Sequence, residues 1–202
     1  MRESNFFYHG ITALLFAVLF PVYWVWLTAL GFDFEFSEIA TGLTSDYFVW
    51  ILLGLMTLFV YLGLKQSLIE RHNYSRLNLP IHLAIASTLI IYGGSAGLEV
   101  IAVMIGVDAS QSTANTIIGA MTFIFFAGLI IQGLIDIIIG IILLRDAQEL
   151  PNTLRIFAII TLISGILGIT VIFALATVLT VPLATLVLGI YFLRQPEMID
   201  VV

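Results

Sequence analysis

The chain contains no cysteine. That excludes disulfides, thiolate metal sites, a cysteine nucleophile and palmitoylation, and it leaves the redox compartment unread. Charge is also scarce. Only 10% of the 202 residues are Asp, Glu, Lys or Arg, the net charge is −6, and the seven basic residues never form a run. This pattern argues against nucleic-acid binding. Histidine is limited to His9, His72 and His82, with no H-x₃-H pair on one helix, so no metal site, haem or other cofactor is expected. No pair of aspartates suited to an aspartyl protease lies within the apolar runs. The alternating segments of about 10 residues that mark a membrane β-barrel are missing too.

What is present is apolar. Hydrophobic residues make up 61% of the chain and the mean hydropathy is +1.15, whereas soluble domains hold about 45–50% apolar residues. The composition predicts an all-α, polytopic membrane protein folded as one domain over residues 1–202. A bilayer core of about 30 Å takes about 20 apolar residues of helix. The runs give spans at about 6–30, 47–64, 81–107 and 117–144. A last apolar block, Leu154–Leu193, is too long for one span and carries no charge between Arg155 and Arg194. It divides near Thr177–Val181 into spans at 154–176 and 178–194, with Pro182 early in the sixth helix, where a missing N–H is tolerated.

The basic residues support this division. With six spans and both termini cytoplasmic, Arg2, Lys65, Arg71, Arg76, Arg145, Arg155 and Arg194 all lie inside, as the positive-inside rule requires. Five spans would put Arg194 outside. Tyr23, Trp24, Trp26 and Trp50 sit where interfacial aromatics belong. The first apolar run is longer than the h-region of a signal peptide, and bulky residues precede its Ala29-x-Gly31, so it reads as an uncleaved signal anchor. No internal repeat is evident. The inner loop, Lys65–Asn78, reads as a short surface helix of mixed charge. In the outer loop, Phe32, Phe34 and Phe36 alternate with Asp33 and Glu35. That loop is either a cation-attracting vestibule or a partner-docking strand; the simpler expectation is a loop dipping its phenylalanines into the membrane interface.

Two acids fall inside the spans. Glu99 is nine residues from Asp108 and Asp136 is nine residues from Arg145, so each lies roughly 13 Å below its own rim, at a different depth. A carboxylate there is costly and faces the bundle interior, protonated or partnered. Helical spacing puts Gly128, Gln132, Gly133 and Gly140 on the face of Asp136. It puts Tyr92, Ser95, Ala96, Ala102 and Gly106 on that of Glu99, with Thr88 further back. Span five adds Thr161, Ser164, Gly165 and Gly168.

Gly93-Gly94-Ser95-Ala96-Gly97 matches G-x-S-x-G, but a nucleophile elbow needs a strand-to-helix turn. A catalytic Ser95 also needs a base, and His82 is roughly 20 Å away along the same helix. The better expectation is a packing face of Gly93 and Gly97, with Ser95 bonding Glu99 one turn on. Local unwinding at the glycine pair is the weaker alternative. Gly128 and Gly140 are further helix-packing candidates. Two functions follow. One is a proton- or cation-conducting transport component of the plasma membrane, with Glu99, Asp136, Gln132 and Ser95 in its polar path. The other is a non-catalytic subunit of a larger complex, in which acids and glycines serve packing. Expected partners are the lipid bilayer and either further copies of the chain or other membrane subunits. No catalytic constellation points to an enzyme.

Overall fold

A backbone in hydrocarbon must satisfy its own N–H and C=O groups, which for long apolar runs means helix. The computed structural model describes residues 5–30, 36–146, 148, 150–170 and 175–194. Those residues form helices and turns without a strand. The helices are α1 (Asn5–Leu30), α2 (Phe36–Ala40), α3 (Ser45–His72), α4 (Asn78–Thr88), α5 (Gly94–Ile105), α6 (Gln111–Arg145), α7 (Asn152–Ile169) and α8 (Thr177–Leu193). A π-helical stretch, Leu89–Gly93, joins α4 and α5 into one continuous rod. Five helices are long and apolar enough to cross a membrane: α1, α3, the α4–α5 rod, α6 and α7. The sixth expected span, α8, is apolar but shorter, at 17 residues.

Several boundaries differ from the sequence expectation, each for a local reason. Helix α3 does not stop at Leu64. It continues to His72, so Lys65–His72 is an extension of α3 and not a separate surface helix. Ser67 and Leu68 are buried on this extension, and Gln66 donates to Glu70 at 2.9 Å one turn on. The helix ends at Asn73, whose left-handed backbone (φ 49°) turns its N–H back to Ile69, a conformation Asn tolerates. Helix α6 begins at Gln111 and not near 117, because Ser110 caps it by accepting from the Thr113 N–H at 3.2 Å. Its 35 residues reach about 52 Å. Helix α7 stops at Ile169, ahead of the expected 176, where Thr170 turns its hydroxyl onto the Ile166 and Leu167 carbonyls.

The long helices pack around a closed circuit: α1 on α3, α3 on α4, α4 on α6, α6 on α7, α7 on α8 and α8 on α1. Two of these contacts bring backbones together at glycine. A Cβ on Gly133 in α6 would lie 2.8 Å from the Gly165 carbonyl of α7, and one on Gly140 would lie 2.9 Å from that of Ala158. Helices α1 and α8 meet similarly, through Gly10 and Gly189. The ends carrying Arg71, Arg76, Arg145 and Arg155 gather on one side, the basic end. Near it, Leu64, Leu68, Ile81, Ile139, Leu154 and Leu188 fill the centre, each no more than 1% exposed. At the other end, Phe36 of α2 is buried with Ala102, Ala114 and Ile117. It is covered by protein and not laid into the membrane interface. Asp33 and Glu35 lie outside the described residues.

Candidate functional site

Asp136 lies nine residues before the basic end of α6, with Gln132 one turn earlier on the same face. From α3, Tyr61 reaches the same point. The Gln132 amide donates to Asp136 Oδ1 at 3.0 Å and to the Tyr61 oxygen at 2.9 Å, and the Tyr61 hydroxyl points at Oδ1 at 3.4 Å. Gln132 Oε1 is buried with no partner among the described residues. No Lys, Arg or His reaches the Asp136 carboxyl there; the ion pair among the described residues is Arg76–Asp146. Asp136 is therefore held by two neutral donors, both directed at one oxygen. These donors are not the oxygen cage that a Na⁺, Mg²⁺ or Ca²⁺ ion takes.

Sequence spacing placed Gln132 beside Asp136 but missed Tyr61, which is 75 residues away in the chain. On the expected span, 47–64, Tyr61 lies near the inner end, where a tyrosine is ordinary; only the extension of α3 to His72 places it in mid-helix. A buried tyrosine hydroxyl takes a partner.

Glu99 is not part of this cluster. It is half-buried near the opposite end, close enough to Asp46 for the two to interact electrostatically. No hydrogen bond joins it to Asp136 or to Ser95 among the described residues. Ser95 is buried, at 8% exposure, without the expected bond to Glu99. The face drawn back from Glu99 to Thr88 is also broken. The π-helical stretch at Leu89–Gly93 inserts an extra residue into the helix, so residues on either side no longer share one α-helical face. Thr88 turns inward and donates to the Ala84 carbonyl at 2.8 Å. The stretch also carries Tyr92 onto Trp50, 4.4 Å between ring centres, and against Gly54.

The glycines separate into two groups. Gly128 receives the Ile91 side chain, and Gly140 receives Leu162 and the Ala158 carbonyl. Gly93 and Gly97 do not pack on another helix among the described residues: a Cβ on either would meet nothing there within 4 Å. The expected G-x-x-x-G contact is absent because α5 turns that face outward, and both positions are exposed.

The histidines occupy three separate places. The His9 ring meets the Phe59 carbonyl at 3.0 Å, His72 meets the Tyr191 hydroxyl at 3.0 Å, and His82 lies between the Asn78 carbonyl and Lys65. Among the described residues no group of three His, Asp or Glu could hold a metal ion. Beyond the end of α6, Asp146 accepts from the Tyr74 hydroxyl at 2.6 Å and from Arg76 at 2.8 Å. The Tyr74 bond first, then Arg76 and the nearby Arg145 charge, hold the Asp146 carboxyl below its ordinary value despite its burial.

The chain is an all-helical protein whose apolar helices fit a membrane. Compared with protein-family models, curated proteins and solved structures, it matches none.

Proposed function

We propose that the chain is a multi-pass protein of the plasma membrane that moves protons, with Asp136 as the residue that binds and releases them. One observation carries this reading: a carboxyl in mid-bundle, hydrogen-bonded to Tyr61 and Gln132 and unpaired with any cation among the described residues. An ionised acid at this depth is costly, and acids kept there usually serve a path. The surrounding chemistry favours a proton over a metal cation. Both donors act on Oδ1, which leaves Oδ2 to carry the proton. The apolar filling near the basic end, with Leu64 and Ile139 fully buried, supports a carrier that opens to one side at a time. In this reading α8 is the sixth span and both termini are cytoplasmic. Glu99, beside Asp46, attracts cations at the opposite mouth.

The test is proton flux into liposomes holding the purified chain and a pH-sensitive dye, driven by a potassium diffusion potential. Wild type should acidify the lumen, and Asp136→Asn should not, at equal yield and monodispersity. Equal flux in the two proteins would refute a titrating role.

A second reading, a non-catalytic subunit of a larger assembly, is favoured by the outward face of Gly93 and Gly97. Close-packing glycines suit a helix from another copy or another subunit. A stoichiometric partner on purification, together with absent flux, would favour it.

A further inference from the structure

A second hydrogen-bonded chain enters the bundle from its basic end. Ser67, on the extension of α3, is fully buried, and its hydroxyl lies 2.8 Å from that of Tyr191 on α8, itself 3% exposed. The Tyr191 hydroxyl lies in turn 3.0 Å from His72 Nε2. His72 is half-buried, at the rim, where α3 ends. One line of exchangeable protons thus runs from the rim to a fully buried hydroxyl. It advances five residues along α3, about 7.5 Å, toward the level of Tyr61, which is a further 9 Å or so inward.

Each member of this line can both donate and accept. Arg71, next to His72, differs in this respect. Its guanidinium donates to the Tyr191 and Phe192 carbonyls at 3.4 Å and sits 4.5 Å over the Phe6 ring. Arg71 can only donate, and it already ties the end of α8 to α3 and α1. Fastening does not require three amphoteric groups in series beside it. Passing a proton does.

We propose that His72, Tyr191 and Ser67 form the proton relay between the basic rim and the Asp136 site, an assignment that rests on the proton-carrying role of Asp136. In the inward direction the His72 Nε2–H proton passes to the Tyr191 oxygen, and the Tyr191 proton passes to Ser67 Oγ. The Ser67 proton leaves to a file of water molecules admitted when the apolar layer that holds Leu64 and Ile139 opens, and the last water of the file protonates Asp136 Oδ2. One proton enters at His72 and one arrives at Asp136. Each hydroxyl regains a proton as it gives one up, and neutral His72 is recharged from the aqueous side. The relay supplies the part of the route next to the basic rim, and the apolar layer gates the rest.

The experiment is the same liposome flux assay on the full chain, with His72→Ala, Tyr191→Phe, Asp136→Asn and wild type compared in liposomes of one lipid composition. A positioned proton-transfer group contributes about 10²–10⁴-fold, so His72→Ala and Tyr191→Phe should each slow the flux by about a hundredfold. Millimolar imidazole on the histidine side should restore His72→Ala, because a diffusible imidazole can deliver the proton to Tyr191. It should not restore Tyr191→Phe or Asp136→Asn. A slow His72→Ala that imidazole fails to restore would overturn the relay and leave His72 as an anchor. Wild-type flux in both relay variants beside a dead Asp136→Asn would also overturn it, with the Asp136 reading intact. Absent flux in wild type, or full flux in Asp136→Asn, would remove both. Should Tyr191→Phe fail to fold, imidazole rescue of His72→Ala decides alone.

Discussion

The same substitution at two glycines should have opposite effects. At Gly133 an added Cβ would sit 2.8 Å from the Gly165 carbonyl oxygen and 3.1 Å from the Ile169 nitrogen. Both are backbone atoms of α7, so relief requires the two helices to separate and no side chain can simply swing away. Such overpacking costs about 1–3 kcal/mol. At Gly97 the added Cβ would meet nothing within 4 Å. Each Gly→Ala change also gains about 0.8–1.0 kcal/mol of helix propensity. Gly97→Ala should therefore stabilise slightly, and Gly133→Ala should fall about 1–3 kcal/mol below it. At about 2–4 °C per kcal/mol for a chain of this size, thermal unfolding in one detergent, followed by tryptophan fluorescence, should separate the two by several degrees. Gly133→Ala unfolding at or above the temperature of Gly97→Ala would refute the backbone contact between α6 and α7.

Three further outcomes are expected. Asp136→Leu should lose about 1–3 kcal/mol, because it leaves the Tyr61 hydroxyl proton and one Gln132 N–H without the acceptor they share; melting like wild type would show that the carboxyl contributes nothing to stability. Asp146 has a depressed folded value, so its contribution is fully present above the ordinary carboxyl value of about 3.9 and is lost as pH falls through the folded one. Melting curves between pH 6 and 3 should show a shallower acid loss in Asp146→Asn than in wild type, and an identical acid limb would rule the residue out. Reporter fusions after Arg76 and at the C-terminus should report cytoplasm, and fusions near Glu38 and Asp108 the outside; a C-terminal fusion reporting the outside would remove the sixth span.

The apolar runs made the helices legible, because a backbone in hydrocarbon has few alternatives. Hydropathy reports where lipid is tolerated, not where a helix ends. This is why Lys65–His72 and the first turns of α6 extend their helices past the apolar limits. Capping by Ser110 and burial of Ser67 decide those ends. The pairing of Gln132 with Asp136 was legible because one helical turn sets it. Tyr61 was not, since periodicity assigns a face but not the helix opposite. Glycine spacing shows where close packing is permitted, not where it happens. Gly93-x-x-x-Gly97 has the motif and stays open, while Gly133 and Gly140 lack it and are filled. The π-helical stretch at Leu89–Gly93 left no sequence signal in its spacing, and it displaced every face drawn through it.

The way α3 is held differs from the seam between α6 and α7, and the difference bears on what can move. Helices α6 and α7 meet backbone to backbone at Gly133 and Gly165, a contact with little room to adjust. The glycines of α3 instead take side chains: Gly54 takes Tyr92 and Gly63 takes His9. Polar side chains fasten α3 elsewhere as well, Tyr61 to α6 and Ser67, Arg71 and His72 to α8. A side chain can change rotamer at far less cost than two backbones can part, so α3 is held by contacts more easily changed than the α6–α7 seam. Among these fastenings, the Tyr61 bond ends on the Asp136 carboxyl and the His72 ring meets the Tyr191 hydroxyl. A charge on Asp136 strengthens the Tyr61 and Gln132 bonds, and its neutralisation weakens them. On the proposed reading, a proton taken up at Asp136 would loosen the hold of α3 on α6.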